Sequence, residues 1–386
     1  MKLSKQDVEE QSQSTVASVV QGNTEFAFAL YQELRTKEGN LFFSPYSISA
    51  ALAMTYAGAR GKTADQMAQA LHFPSEPEQL HPAFAMLEAR LSDCGKEGSV
   101  QLNVANALWP HVGYPFLEEF LALTQQYYGV LITAVDYGDT EAARGTINAW
   151  VEEKTEARIQ ELIPPGMLDA LTRLVLVNAI YFKGNWASQF DQGLTRDAPF
   201  RVTPEVTVQV PMMTQKQEFR YGEDDGLQVL ELPYAGDDLS MIILLPTEVD
   251  GLARLEKRLT AANLARWTKR LWPTKVTVFL PRFETTYPLR LDEALRSMGM
   301  VDAFSGKADF SGMDRMPLFI SAILHKAFVL VNEEGTEAAA ATAVVMTRGL
   351  PSPPPVFCAD HPFVCLIREN RTQSILFLGR VENPES

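Results

Sequence analysis

Cysteine is scarce in the sequence, with only three among 386 residues. So few cysteines cannot form a disulfide framework. Cys358 and Cys365 belong to one extended segment, in which seven residues span roughly 23 Å, beyond the reach of a disulfide. Together with Cys94 they are expected to be free thiols in a reducing compartment.

Basic residues are also in the minority, with 34 Lys and Arg against 48 Asp and Glu and a formal net charge of −14. This balance argues against a general role in binding nucleic acid or anionic membranes. Residues 41–59, the longest uncharged stretch, are too polar for a membrane span, and residues 1–10 are too polar for a secretory signal. We expect a cytoplasmic protein, with export by a non-standard route left open.

The usual catalytic signatures are missing as well. The sequence contains no GxGxxG, HExxH, CxxC or GxSxG motif, and no GxxxxGK motif followed by Ser or Thr. The commonest phosphate loops, metal sites and nucleophile elbows therefore have no candidate. A Cys/His hydrolase stays open because triads assemble in space, although nothing favours one. The sequence predicts a protein that is not an enzyme and that needs no metal or cofactor.

Helical patterns occupy the first third of the chain and strand patterns the rest. Helices are predicted after Asn23 and Thr24, after Ser47 and after Thr63. The strand-like runs are Leu174–Phe182, Leu227–Leu232, Leu239–Leu245, Lys275–Phe283, Phe319–Val331, Pro362–Ile367 and Ser374–Val381. This order indicates an α+β fold and not alternating βαβ units.

Residues 333–355 (EEGTEAAAATAVVMTRGLPSPPP) do not follow an ordinary pattern. One interpretation is an alanine-rich helix capped by Thr336. Against it, the segment has no large apolar side chain before Val344 and ends in β-branched residues and prolines. With a period of two, Thr336 and every second residue to Met346 form a small, apolar face, and Glu337 lies on the other. Such a face could join a sheet interior without burying a charge.

Five blocks of this sequence resemble the serpins, serine protease inhibitors of the loop-insertion kind, in the family's order. They are residues 40–49 (NLFFSPYSIS), 178–186 (NAIYFKGNW), 278–283 (VFLPRF), 325–326 with 333–342, and 361–364 (HPFV) with 377–381 (FLGRV). Together they extend the resemblance over nearly the whole chain. The alanine-rich ending resembles the bacterial branch of the family.

The resemblance implies one serpin domain over residues 1–386, with three β-sheets and about nine helices. Residues 1–15 would be a mobile N-terminal extension and residues 333–355 an exposed reactive-centre loop near the C-terminus. The implied function is irreversible, suicide-substrate inhibition of serine endopeptidases by a monomer. The cleaved loop inserts into the central sheet while the protease is held as an acyl-enzyme. The alternative is a non-inhibitory serpin that acts as a chaperone or carrier.

Three groups of residues match functional parts of serpins. The hinge of the loop comprises Glu333, Gly335, Thr336, Glu337, Ala338, Ala339, Ala340, Ala341 and Thr342. The shutter, where the strands part, comprises Ser44, Ser47, Asn178 and His325, and the breach, where insertion begins, comprises Trp186, Arg282 and Glu333. Without the resemblance, the shutter would be interpreted as a satisfied core histidine beside helix-capping serines. An ion pair between Arg282 and Glu333 is predicted to hold the base of the loop.

The reactive bond is harder to place because two counts along the loop disagree. The family's spacing from Gly335 leads to Gly349, whereas counting back from Pro362 leads near Pro351. Arg348 is the one charged residue between Glu337 and Asp360 and suits the acidic pocket of trypsin-like proteases. We predict cleavage at Arg348–Gly349, with Gly349–Leu350 second and Val345–Met346 or Met346–Thr347 for elastase- or subtilisin-like targets. A cysteine protease could be held by the same trap.

Overall fold

The computed structural model describes residues 5–74, 77–94, 100–130, 132–336 and 353–385. Within these ranges there are nine α-helices, the number that the resemblance implies. They are α1 (Lys5–Leu34), α2 (Pro45–Tyr56), α3 (Gly61–Ala70), α4 (Pro77–Cys94), α5 (Glu118–Tyr128), α6 (Thr140–Lys154), α7 (Leu252–Arg258), α8 (Ala261–Lys269) and α9 (Asp292–Ser297). None of these helices is long and apolar enough to cross a membrane.

All three predicted helix starts are wrong. Helix α3 begins at Gly61 with Arg60 as its N-cap, so Thr63 lies inside the helix. Helix α2 begins at Pro45, and its N-cap is Ser44, whose Oγ accepts a hydrogen bond from the Ser47 N–H at 3.1 Å. Proline is well suited to this first helical position because its missing N–H would have no partner there. Helix α1 begins at Lys5, well before Asn23. Part of the predicted N-terminal extension therefore lies in α1, and its mobility stays a prediction.

Five strands form a mixed sheet at the centre of the molecule. They are β2 (Val100–Pro110), β3 (Leu174–Asn185), β9 (Phe283–Arg290), β10 (Ala322–Val331) and β11 (Gly335–Thr336). Strands β3 and β10 are parallel, while β2, β9 and β11 pair antiparallel with their neighbours. The first nine residues of β3 are all buried, because layers cover both faces of this strand, as its nearly continuous apolar run predicts.

The second sheet contains nine strands in the described ranges. They are β1 (Leu41–Phe43), β4 (Arg196–Arg201), β5 (Thr207–Glu223), β6 (Leu227–Pro233), β7 (Leu239–Pro246), β8 (Trp272–Pro281), β12 (Val356–Cys358), β13 (Phe363–Glu369) and β14 (Ile375–Val381). The 17-residue β5 pairs with β6 near its end and with β4 and β8 along most of its length. Strand β5 thus joins two portions of the nine-stranded sheet, and these portions correspond to the two further sheets of the expected fold.

Arg282 lies at the crossing between the two sheets. The predicted strand Lys275–Phe283 is divided here, since β8 ends at Pro281 and β9 begins at Phe283. The backbone N–H of Arg282 donates to the carbonyl oxygen of Pro211 at 2.8 Å. This bond fixes Arg282 next to the first residue of β9, which lies opposite the last residue of β10. From there its side chain can reach the chain that leaves β10.

Helices cover both faces of the five-stranded sheet. Helix α2 contacts β2 and β3 on one face. On the other, α6 and the segment after it form a core cluster with β2, β3 and β10 that includes Ile147, Val151, Ile159, Tyr181 and Phe328. Any separation of β3 from β10 must therefore disturb a layer on each face. The three cysteines are free thiols, as predicted.

Candidate functional site

The predicted shutter residues lie on or beside the seam, which we define as residues 175–181 of β3 paired in parallel with residues 322–328 of β10. Beyond the seam, β11 pairs with the last two residues of β3. Strand β2 occupies the opposite edge of β3 as far as Gly184. Strand β11 therefore lies on the edge of β3 that faces β10, just beyond the end of the seam at Tyr181.

Gly335 is the residue that lets the hinge approach β3 so closely. It lies opposite Asn185, and its φ of +149° is a conformation that residues with a side chain rarely adopt. A Cβ atom at this position would be 2.2 Å from the carbonyl oxygen of Gly184. Only glycine fits here without moving the backbone.

The breach is organised around the carboxylate of Glu333, whose residue is only 1% exposed. Arg282 donates from Nε to both carboxylate oxygens at 2.7 Å, and its Nη2 also pairs with Oε1. Thr195 donates from Oγ1 to Oε1 at 2.5 Å. The structure thus brings the two predicted partners together and adds a third residue, Thr195, that sequence patterns do not mark.

Trp186 holds the backbone of the same hinge. Its indole Nε1 donates to the carbonyl oxygen of Asn332 at 3.0 Å, and its backbone N–H donates to the carbonyl of Glu334 at 3.0 Å. The ring stacks on Tyr234 with centroids 4.7 Å apart. Stacking fixes the orientation of the indole, so that its single donor points at the chain leaving β10.

Charge and burial oppose each other at Glu333. Burial by itself raises the pKa of its carboxyl, but the hydrogen bonds from Arg282 and Thr195 outweigh burial and hold the pKa below its ordinary value. The Arg282 side chain is 42% exposed whereas that of Glu333 is 2% exposed. Water can therefore reach the cation of this pair much more readily than the anion.

The shutter residues form one hydrogen-bonded network on the α2 face of the seam. Asn178 accepts from His325 Nδ1 through Oδ1, and it donates from Nδ2 to Ser47 Oγ at 2.5 Å and to Asn106 Oδ1. His325 Nε2 accepts the backbone N–H of Ser44 at 3.1 Å. The His325–Asn178 bond joins β10 to β3, so inserting a strand between them must break it.

His325 is a neutral imidazole with its proton on Nδ1. Nδ1 faces the side-chain amide oxygen of Asn178, and Nε2 faces the backbone N–H of Ser44. Only the tautomer with its proton on Nδ1 satisfies both contacts. The residue is 0% exposed. Burial lowers the pKa of His325 to about 3, because a charged ring would lose its hydration.

Asn106 belongs to the shutter although the resemblance did not select it. It lies in β2, opposite Asn178 in the register. Its Oδ1 accepts from Asn178 Nδ2 and, at 3.3 Å, from Ser47 Oγ. The sequence patterns predict no strand over residues 100–110, so the polar partner of Asn106 becomes evident only from the register of β2 against β3.

The rest of the predicted hinge, residues 337–342, and the predicted reactive bonds at Arg348–Gly349 and Gly349–Leu350 lie outside the described residues. The next described range starts at residue 353 and leads into β12, which pairs in parallel with β8 of the nine-stranded sheet. Arg201 donates to the carboxylate of Asp360 at 2.7 Å just beyond this strand. The two ends of the segment are therefore anchored in different sheets.

Comparison with known proteins identifies what the chain is similar to. A family model described as "Serpin (serine protease inhibitor)" matches residues 21–384. The chain is 48% identical over 374 residues to "Leukocyte elastase inhibitor" of Bos taurus, covering 94% of this chain and 98% of the relative. It is 47% identical over 376 residues to the Homo sapiens protein of the same name, with the same coverage.

Solved structures show the same fold. Uncleaved ovalbumin superposes with a TM-score of 0.86 at 32% identity, covering 95% of this chain and 100% of ovalbumin. The three named sequence and structure matches agree with the expected serpin architecture. The two elastase inhibitors come from mammals, so they do not support the expected likeness to the bacterial branch. That expectation rested on the alanine-rich ending alone, and a composition without a motif does not distinguish one branch of a family from another.

Proposed function

Because the chain belongs to the serpin family of serine protease inhibitors, we propose that it traps an elastase-like or trypsin-like protease by inserting its cleaved loop into the seam. The observation that carries this proposal is the position of β11. It is a two-residue strand at the upper end of the seam, on the edge of β3 that faces β10. The family and the mammalian relatives support inhibition of serine proteases as the activity.

Strand β11 has the direction that an inserted strand needs. It runs antiparallel to β3, and β3 is parallel to β10, so a strand continuing from β11 would be antiparallel to both neighbours. In that register Thr336 is opposite Gly184, and six residues further along Thr342 would reach the level of Asn178. Small hinge side chains would then replace the contacts between β3 and β10.

Insertion would proceed from the breach to the shutter. Release of Glu333 from Arg282 frees the base of the loop, and rupture of the His325–Asn178 bond lets the strands part. Ladder hydrogen bonds to both neighbours then replace the lost contacts, at a net of about 0.5–1.5 kcal/mol each. The protease, bound through its own serine to the loop, is carried along before the acyl bond hydrolyses.

The proposed reactive bond remains Arg348–Gly349, with Gly349–Leu350 as the second choice. The relatives are named elastase inhibitors, and elastase has a small specificity pocket. For this reason Val345–Met346 and Met346–Thr347 should be tested as well. Mass spectrometry of the C-terminal peptide released on denaturation identifies the bond for each protease. A peptide beginning at Gly349 supports the trypsin-like assignment, and one beginning at Met346 or Thr347 replaces it.

The central test is a denaturing gel after incubation with trypsin, elastase or subtilisin. A stable band at the combined mass of inhibitor and protease supports the proposal. A clean nick without that band contradicts it and indicates the chaperone or carrier alternative. Size-exclusion chromatography of the same sample tests the further proposal that the chain is a single-domain monomer.

Thr336→Arg tests the insertion step itself. A charged side chain at the first inserting position would be buried without a partner, so insertion should lag behind hydrolysis. We expect the covalent band to fall at least tenfold while loop cleavage continues. Thr203→Arg places the same charge on an exposed turn and should leave the band unchanged. An undiminished band with Thr336→Arg contradicts insertion at this position.

A further inference from the structure

Trp272, the first residue of β8, holds a large apolar side chain in solvent. It is 71% exposed, whereas Trp186 and Trp267 are 3% and 1% exposed. Val356, on the neighbouring strand β12, is 52% exposed. Single exposed apolar side chains are common, but a group of them indicates a binding surface. We name four exposed residues the distal patch: Trp272, Pro273, Pro353 and Val356.

The pairing of β12 with β8 brings the distal patch together. Val356 lies opposite Thr277, and the backbone N–H of Thr277 donates to the carbonyl oxygen of Pro355 at 3.0 Å. Because the two strands are parallel, the same offset brings Pro353 within two residues of the level of Trp272. With neighbouring strands about 4.8 Å apart and a rise of about 3.3 Å per residue, their Cα atoms are roughly 8 Å apart.

The side chain of Gln228 fixes this arrangement. Its Nε2 donates to the carbonyl oxygen of Val356 at 3.1 Å and to the Tyr221 hydroxyl at 2.8 Å. Tyr221 lies opposite Trp272 in the register of β5 against β8 and is only 7% exposed. The chain that returns from the reactive loop is therefore joined through Gln228 to the strand position that supports Trp272. The distal patch thus belongs to the folded framework.

A protease bound at the proposed reactive bond would extend over the distal patch. The four residues from Gly349 to Pro353 span at most about 14 Å. A protease–inhibitor interface buries about 800 Å² on each partner, which is the area of a disc about 16 Å in radius. The edge of such a disc, centred on Arg348–Gly349, reaches Pro353 and the indole beside it.

We propose that the distal patch is a docking surface for the target protease and that Trp272 is a specificity-determining contact outside the loop. The proposal rests on the proposed function. The occupant is the protease because the patch continues the chain on which the protease acts. Tryptophan is enriched among the residues that dominate interfaces. Lys275 and Glu218, exposed and opposite each other on β8 and β5, supply the polar rim that such surfaces have.

Binding of trypsin and elastase whose catalytic serine is replaced by alanine tests the contact before any cleavage or insertion. For the protease that cleaves the loop faster in its active form, we expect Trp272→Ala to weaken binding about fivefold to thirtyfold. Trp272→Phe keeps an aromatic ring and should lie between. Leu171→Ala is the matched control and should change the affinity less than about twofold. Leu171 is 72% exposed but precedes β3, at the end of that strand far from β11.

A second measurement separates binding from chemistry. In the Thr336→Arg background, where the loop should be cleaved as an ordinary substrate, Trp272→Ala should raise KM and leave kcat unchanged. A contact that is equally strong in the bound substrate and in the transition state has this signature. Circular dichroism of each variant checks that the fold is kept.

Equal affinities of wild type and Trp272→Ala would overturn the proposal, as would an equal loss with Leu171→Ala or a fall in kcat at constant KM. A wild type that binds the inactive proteases but forms no covalent complex with the active ones refutes the proposed function, while the affinities still decide the role of Trp272. A wild type that binds neither inactive protease overturns the distal patch, and the covalent band then decides the proposed function by itself.

Discussion

The shutter lies on the seam and the breach lies just beyond the end of the seam nearest β11, and the two are held by different chemistry. The shutter is uncharged and dry, with His325 0% and Asn178 1% exposed. The breach depends on an ion pair whose cation, on Arg282, is 42% exposed. Hydrogen bonds in a dry interior are costly to leave unmade, whereas half-exposed ion pairs contribute little and respond to salt.

This difference indicates how a loop could begin to insert and yet rarely finish without cleavage. Under the proposed mechanism the end where insertion begins is the weaker one, so opening there should cost less free energy than opening the shutter. The shutter then resists, because opening it exposes several polar groups at once before any new strand replaces them.

Asn178→Ala should have the largest effect, because it removes one residue that serves three partners. His325, Ser47 and Asn106 would each lose a buried hydrogen bond, and we expect the free energy of unfolding to fall by about 3–4 kcal/mol. Urea unfolding measures it. The control is Asn263→Ala, whose amide donates to one backbone carbonyl, that of Arg258. A loss below about 1 kcal/mol for Asn178→Ala would contradict a dry network.

Acid should weaken the shutter next. The pKa of His325 is lowered to about 3 by burial, while a histidine in an unfolded chain takes up its proton near pH 6.5. Between these values the unfolded state binds more protons, so stability falls as the pH falls. From pH 6.5 to 4.5 this amounts to about 2–3 kcal/mol.

Urea unfolding at pH 6.5 and at pH 4.5 measures the acid effect, with His325→Gln as the control. The variant lacks the titrating ring and should lose less stability over the same interval. Carboxylates elsewhere contribute equally to both proteins, so the difference between the two slopes belongs to His325. Identical slopes would show that the shutter does not control the acid response.

Glu333→Gln should have a smaller effect, confined to the breach. It keeps the shape of the side chain but removes the charge that Arg282 neutralises, for a loss of about 1–2 kcal/mol in holding the hinge. We expect the native protein to take up a labelled synthetic peptide that copies residues 336–346 about fivefold to thirtyfold faster. Glu334→Gln is the matched control, since the Glu334 side chain accepts one long bond, from Gln192 at 3.5 Å. Similar acceleration by both variants would contradict the special position of Glu333.

Salt should produce the smallest change. Raising the ionic strength from 0.05 to 0.5 M screens the half-exposed Arg282 more than any shutter residue, and it should speed peptide uptake by no more than about threefold. Glu333→Gln has no ion pair to screen and should not respond. A salt effect that persists in this variant would assign the response to other charges.

The shutter was largely predictable from sequence. Four of its residues lie in blocks with recognisable motifs. Asn106 escaped because VQLNVANAL contains two asparagines with no feature to separate them. Only the register of β2 against β3 places Asn106 opposite Asn178. Pairing between segments distant in the chain is set by the whole sheet, so no local pattern carries it.

The breach was predictable in its members but not in its construction. Arg282 and Glu333 could be named as a pair. The run from Lys275 to Phe283 nevertheless looked like one strand, because only Lys275, Thr277 and Arg282 interrupt its apolar residues. The crossing at Arg282 depends on two sheets that meet there. Thr195 follows a short 3₁₀ turn, where neither period nor motif distinguishes one hydroxyl from another.

The close approach of Gly335 to β3 bears on the speed of the proposed inhibition. A methyl group there would lie 2.2 Å from the carbonyl oxygen of Gly184, so any other residue would push β11 away from β3. Under the proposed mechanism the loop would then lose the paired residues from which insertion starts. The absence of a side chain at this one position thus determines whether the new strand begins already paired or must first find its register.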